Sequence, residues 1–241
     1  MRTRLFGEFS TSSPLFYIAV YAPGITALIL TGILDGRTAV TRLLATLRPR
    51  WASAPYYAAV LLGWPILDSI ALFAQGRITG DLVPRLDYHH WYLAPGFLLM
   101  TLATDPGPLG EELGWRGYAL PRLLSRLASP LNVALILGVV WGLWHLPAFI
   151  ISGTAQHDTA MGALWLILGT TLTSVIMTWL YRRTNGDVLA SGLLVHLMNN
   201  VMLASVPFMC LVYVPVAVVA AIALIREGRT QTAVGSGQIP G

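Results

Sequence analysis

From Pro14 to Leu34, and again from Val188 to Ile225, the chain runs without one acidic or basic (Asp, Glu, Lys, Arg) side chain. Roughly 20 apolar residues of helix are what it takes to cross the hydrocarbon core of a bilayer. Apolar runs recur at about 14–34, 54–74, 91–104, 130–151, 159–181, 188–205 and 207–225, and they predict an all-α, polytopic membrane bundle. Only 11% of residues are charged and 55% are hydrophobic, whereas a soluble domain carries about 25% charge. This leaves room for one transmembrane domain, residues 1–230, followed by a polar tail, 231–241, expected to be flexible.

A net charge of +4 raises nucleic acid as a partner. The arginines, however, stand singly or in pairs beside apolar runs, as membrane-flanking charges do. The expected partner is therefore the lipid bilayer and not nucleic acid. The one cysteine, Cys210, lies in an apolar run, which excludes an intrachain disulfide and a cysteine-based metal cluster. Arg2 and Arg4 precede the first apolar run, which is too long for the hydrophobic region of a signal peptide and reads as a retained anchor. The absence of lysine, the lack of disulfides and the small size fit the inner (plasma) membrane of a bacterium.

The stretch from Thr104 to Pro130, TDPGPLGEELGWRGYALPRLLSRLASP, is the polar exception. Thr104 or Asp105 suits an N-cap, and Pro106 or Pro108 suits the first helical turn, so a helix is expected. Its polarity fits a surface helix, but depth arithmetic places it inside the bundle. Glu111 lies ~18 residues before the turn at Ser129-Pro130 and His145 ~15 after it, so a helical hairpin rising ~1.5 Å per residue sets both at one height. Counting up from the turn at Arg182–Asp187, His196 and Asn200 reach the same level. With this helix the bundle has about eight. Eight crossings place Arg77, Arg85, Arg122, Arg126, Arg182, Arg183, Arg226 and Arg229 on one side and Arg37, Arg42, Arg48 and Arg50 on the other, a split that fixes no orientation.

Charges inside a membrane cost about 2.5–3.5 kcal/mol each on insertion scales and mark functional sites by default. Glu111 and Glu112 are about 100° apart on a helix, so they face different partners. Glu112 and Arg116 have the i,i+4 spacing of an ion pair. Glu111 is left outside that pair, in a low-dielectric setting that suits a general base or acid. Both glutamates also suit plain stabilisation of a helix N-terminus. His145, in WGLWHLP, fits a site residue or an interfacial, hydrogen-bonded one. His196 and Asn200 share a helical face and suit binding of a water, an oxyanion or a metal, or interhelical hydrogen bonding. Asn199 points elsewhere. Taken together, three helices supply a carboxylate, two imidazoles and a carboxamide at one depth, the inventory for activating water and stabilising an oxyanion.

Glu111-Glu112-x-x-x-Arg116, then Trp141-x-x-x-His145, then His196-x-x-x-Asn200 resembles the CPBP family, the CAAX-type proteases and bacteriocin-processing proteins also called Abi. The resemblance covers 105–205. Trp141 stands where the family has phenylalanine and remains aromatic. The resemblance implies intramembrane endoproteolysis of a membrane-anchored protein or peptide. In eukaryotic relatives the last three residues of a prenylated CAAX protein are removed. Carried onto this chain, it implies that Glu111, assisted by His145, activates the attacking water, that His196 and Asn200 stabilise the oxyanion, and that Glu112 and Arg116 hold the motif in shape. No cofactor is preferred. A zinc alternative would use Glu111, His145 and His196 as ligands, although the spacing is not the His-Glu-x-x-His signature.

Two other readings compete. One is a transporter or channel with an intramembrane Glu/His path, to which Asp68 would add a carboxylate; the hairpin count sets Asp68 nearer the opposite side and expects it to pair locally. The other is a catalytically idle immunity or scaffold relative, for which Gly110 and Gly114 offer a close-packing spacing. His89-His90, beside Tyr88, Trp91 and Tyr92, reads as an interfacial belt rather than a metal site. His157 has no partner that the sequence identifies.

Overall fold

The computed structural model describes residues 11, 13–80, 96, 99–101, 104–151, 153–158, 162–201 and 204–236, and these are helical with no strand among them. Helix α1 is Pro14–Leu34, capped by the Ser13 side chain. It is followed by α2, Arg37–Ala45, and α3, Ala54–Thr79. The polar helix α4 has three parts: Pro106–Glu112, a π-helical stretch Leu113–Ala119, and Leu120–Leu124. Then come α5, Pro130–Trp144, the short α6, Ala155–Asp158, and α7, Ala163–Arg183. Helix α8 opens with a π turn, Leu189–Leu193, and continues as Leu194–Asn200; α9 is Val206–Ser236.

Among the described residues, five helical segments are long and apolar enough to cross a membrane: Pro14–Leu34, Trp51–Thr79, Pro130–Ile150, Ala163–Arg183 and Val206–Arg229. They make the protein an integral membrane helical bundle. Their apolar faces are only partly covered by protein, as expected where lipid is the solvent. Half of the most apolar window of α7 is buried, against 22% for α1, so α7 is the core helix and α1 a peripheral one. Helix α7 packs chiefly on α5 and α9. Its contact with α5 is close because Gly138 and Gly142 leave no side chains in the way: a Cβ on Gly138 would lie 2.6 Å from Thr171 Cα. Ser174 and Thr170 then donate to the backbone oxygens of Ala134 and Gly138 at 2.9 and 3.1 Å. Small residues and hydroxyls of this kind are how membrane helices associate when lipid removes the hydrophobic drive.

Helix α4 is a buried member of the bundle, with Glu111 3% exposed and Glu112 and Arg116 fully enclosed. Asp105 is its N-cap, accepting from Gly107 N at 3.0 Å. Gly110 and Gly114 lie against α1, where added Cβ atoms would stand 2.9 Å from Val20 O and 2.5 Å from the Pro23 carbonyl carbon. Their close-packing spacing thus serves a contact within the chain.

Several expectations need correction. The stretch 35–53 falls between two apolar runs, yet part of it is α2, whose Ala39 and Leu43 form a buried i,i+4 stripe too short to stand out as an apolar run. The arginines of 37–50 do not lie opposite those of 122 and 182–183. Arg122 pairs with Asp35, Arg50 Nη1 donates to Asn185 O at 3.1 Å, and Arg182 pairs with Glu227 at 2.6 Å, so all of these share one end. The parity count failed because Thr79 and Asp105 both lie at the other end. There Gln75 accepts from Ser205 N and Asp105 accepts from Asn200. Most of the run 91–104, and His89-His90, lie outside the described residues. Asp68 Oδ1 accepts from Ala204 N at 2.9 Å, tying α3 to the chain just before α9.

Candidate functional site

The site forms where the first turns of α4 meet the last turns of α5 and α8, at the end away from Arg50, Arg122 and Arg182. Two contacts fix α8 there. Asp187 caps its start, accepting from Ala190 N at 3.0 Å and from the Tyr57 hydroxyl at 2.6 Å. Asn199 takes hydrogen bonds from Trp64 Nε1 at 2.7 Å and from the Tyr213 hydroxyl at 2.5 Å, tying α8 to α3 and α9. Asn199 therefore points away from its neighbour Asn200 and serves packing.

The two adjacent glutamates face different groups. Glu112 Oε1 accepts from Arg116 Nη1 at 3.0 Å and from His196 Nδ1 at 2.9 Å. Gly192, in the π turn of α8, makes this approach possible, since a Cβ there would lie 2.9 Å from Glu112 Oε2. The glutamate is thus held between an arginine of its own helix and a histidine of another. Single-turn π segments recur at functional sites; here one directly follows Glu112 on α4 and another ends three residues before His196 on α8.

Glu111 turns the other way. Its Oε2 accepts from Trp141 Nε1 at 2.7 Å and stands 4.0 Å from His145 Nε2. His145 Nδ1 lies 2.8 Å from Trp141 O. A carbonyl only accepts, so Nδ1 carries the proton and a neutral His145 ring presents an unprotonated Nε2 towards Glu111. His196 also lies within electrostatic reach of Glu111. Trp141 is the hub of this half of the site. Beyond its bond to Glu111, its ring lies 5.3 Å from that of His196 and 5.7 Å from that of His145, and the Arg116 guanidinium sits 4.3 Å above it.

Asn200 Nδ2 donates to Asp105 Oδ2 at 2.7 Å, joining α8 to the start of α4. The structure thus brings Glu111 next to His145, Glu112 next to Arg116 and His196, and Asn200 next to Asp105. Among the described residues no group of three or more His, Cys, Asp and Glu side chains is placed to hold a metal ion. His196 gives Nδ1 to Glu112 and keeps Nε2 for another partner.

Sequence reasoning missed three contributors. Trp141 counted only as an aromatic, yet its indole N–H does what a phenylalanine cannot. Asp105 counted only as a cap, and Gly192 did not register. The first was legible in principle, because a buried tryptophan N–H seeks an acceptor.

A helical membrane bundle with acid, imidazole and amide groups converging from three helices defines a class of intramembrane site. Residues 90–202 match the family model described as Type II CAAX prenyl endopeptidase Rce1-like. A relative from Methanococcus maripaludis, "CAAX prenyl protease 2", is 29% identical over 148 residues, covering 58% of this chain and 49% of that protein. The chain thus spans about half the length of the curated relative it matches. The family-model match spans all three motifs, so over residues 90–202 the chain is similar to the CAAX-type proteases.

Proposed function

We propose that the protein is an intramembrane endopeptidase of the CAAX-protease type, acting on a membrane-anchored protein or peptide by a metal-free, glutamate-dependent mechanism. The observation that carries this reading is the 4.0 Å gap between Glu111 Oε2 and His145 Nε2. Both atoms are acceptors, and a single water donating one O–H to each fits between them. Such a water has its lone pairs free to attack. Its oxygen bonds to the scissile carbonyl carbon while Glu111 takes the proton, a step worth typically 10²–10⁴-fold. The carbonyl oxygen becomes an oxyanion beside Asn200 Nδ2 and His196 Nε2, the latter protonated by virtue of its pairing with Glu112. The C–N bond then breaks, and Glu111 returns the proton to the leaving amine. Trp141 keeps the Glu111 carboxylate turned to His145 throughout.

The test is a screen of lipid-anchored peptides, farnesylated C-terminal peptides among them, against the purified protein in proteoliposomes, with products read by mass spectrometry. Cleavage by the wild type and none by Glu111→Gln is the expected result. Elemental analysis of active protein tests the metal-free mechanism; stoichiometric zinc lost together with activity on chelation contradicts it.

A further inference from the structure

Asp105 and Gly107 precede the glutamates and belong to none of the three motifs. Asp105 uses both carboxylate oxygens: Oδ1 accepts from Gly107 N at 3.0 Å and Oδ2 from Asn200 Nδ2 at 2.7 Å. A carboxylate only accepts, so this contact fixes which end of the Asn200 carboxamide faces α4 and leaves its second N–H to point elsewhere. Gly107 is the residue that both α8 side chains face. A Cβ built on it would lie 3.3 Å from His196 Nε2 and 3.4 Å from Asn200 Nδ2, with Asp105 Oδ1 at 3.2 Å. His196 is 4% exposed, and its Nδ1 is already engaged by Glu112, so Nε2 is the nitrogen it has to offer. Two nitrogens from one helix face thus converge on a spot that is open only because residue 107 has no side chain. The nearby Asp105 Oδ1 is drawn to the backbone N–H of Gly107, which tempers its charge.

We propose that Asp105 and Gly107 build the seat for the carbonyl oxygen of the substrate, Gly107 by leaving it open and Asp105, as a positioning residue, by aiming the Asn200 amide into it. This rests on the proteolytic reading and adds to it the two residues that shape the oxyanion pocket. Gly107 is then also a specificity determinant, since it sets how closely a peptide backbone approaches α8.

The test uses the full chain in detergent with the lipid-anchored reporter peptide that the wild type cleaves. Gly107→Ala adds one methyl group at contacts that neighbours relieve by a few tenths of an ångström. It is expected to lower kcat at least ~100-fold, with KM within about threefold and an unchanged melting temperature. Asp105→Ala is expected to lower kcat about 10- to 100-fold by misplacing the amide. Wild-type turnover in Gly107→Ala overturns the proposal. Should that variant fail to fold, Asp105→Ala carries the test with a readout independent of turnover. The chain has only four asparagines, Asn132, Asn185, Asn199 and Asn200, so ¹⁵N-asparagine labelling resolves the Asn200 side-chain amide. A large shift of that resonance alone is expected, and an unmoved resonance overturns the positioning role. A wild type that cleaves no peptide removes the proteolytic reading and the seat with it, while the Asn200 shift still reports separately on the Asp105 contact.

Discussion

Glu111 and Glu112 are neighbours in sequence and both almost wholly buried, yet the two sides of α4 treat them differently. On one side Glu112 is locked between Arg116 and His196, and its second oxygen, like Arg116 Nη2, has no hydrogen-bond partner among the described residues. On the other side Glu111 takes one neutral donor, Trp141, and faces a histidine at water-bridging distance. Removing one member of a buried ion pair strands the other, whereas a carboxylate held by a neutral N–H can change its protonation with little structural consequence. The difference separates a group that holds the site from one that is free to act in it.

That contrast is sharpest at Arg116. Arg116→Ala takes one of its two partners from the enclosed Glu112 and is expected to destabilise the fold by about 3–5 kcal/mol, seen as a large drop in melting temperature in detergent; an unchanged value would dissolve the distinction. Asn200→Ala removes a donor beside the developing oxyanion. It is expected to cost about 2.7–4 kcal/mol in transition-state stabilisation, read as kcat, while the fold stays intact. Trp141→Phe restores the family's aromatic, removes the N–H that bonds Glu111 and trims the ring beneath Arg116. A hydrogen bond to a charged group is worth about 1.5–3 kcal/mol, so kcat/KM should fall roughly 10- to 100-fold; full activity would show that Glu111 needs no such anchor.

Much of this was legible in the sequence. The uncharged run 14–34 is a helix with those same bounds, and the Ser129-Pro130 turn was placed well enough to set Glu111 and His145 at one height. The i,i+4 spacing gave the Glu112–Arg116 pair. Contacts that depend on rotation between helices were not legible. Nothing in the order of residues says that His196 turns Nδ1 to Glu112, or that Asn200 meets Asp105. The π stretches add to this, because each shifts the angular register by a fraction of a turn within a few residues of a motif. The arginine count misled for another reason: parity depends on every crossing, and one miscounted apolar run moves Arg37, Arg42, Arg48 and Arg50 to the wrong end.

The most direct measurement compares Glu111→Gln with Glu112→Gln in one assay that reads both peptide turnover and melting temperature. The account predicts that Glu111→Gln melts like the wild type but turns over at least ~100-fold more slowly, while Glu112→Gln, which leaves Arg116 buried without a counter-charge, loses thermal stability. Wild-type turnover in Glu111→Gln, or indistinguishable behaviour of the two variants, would contradict it.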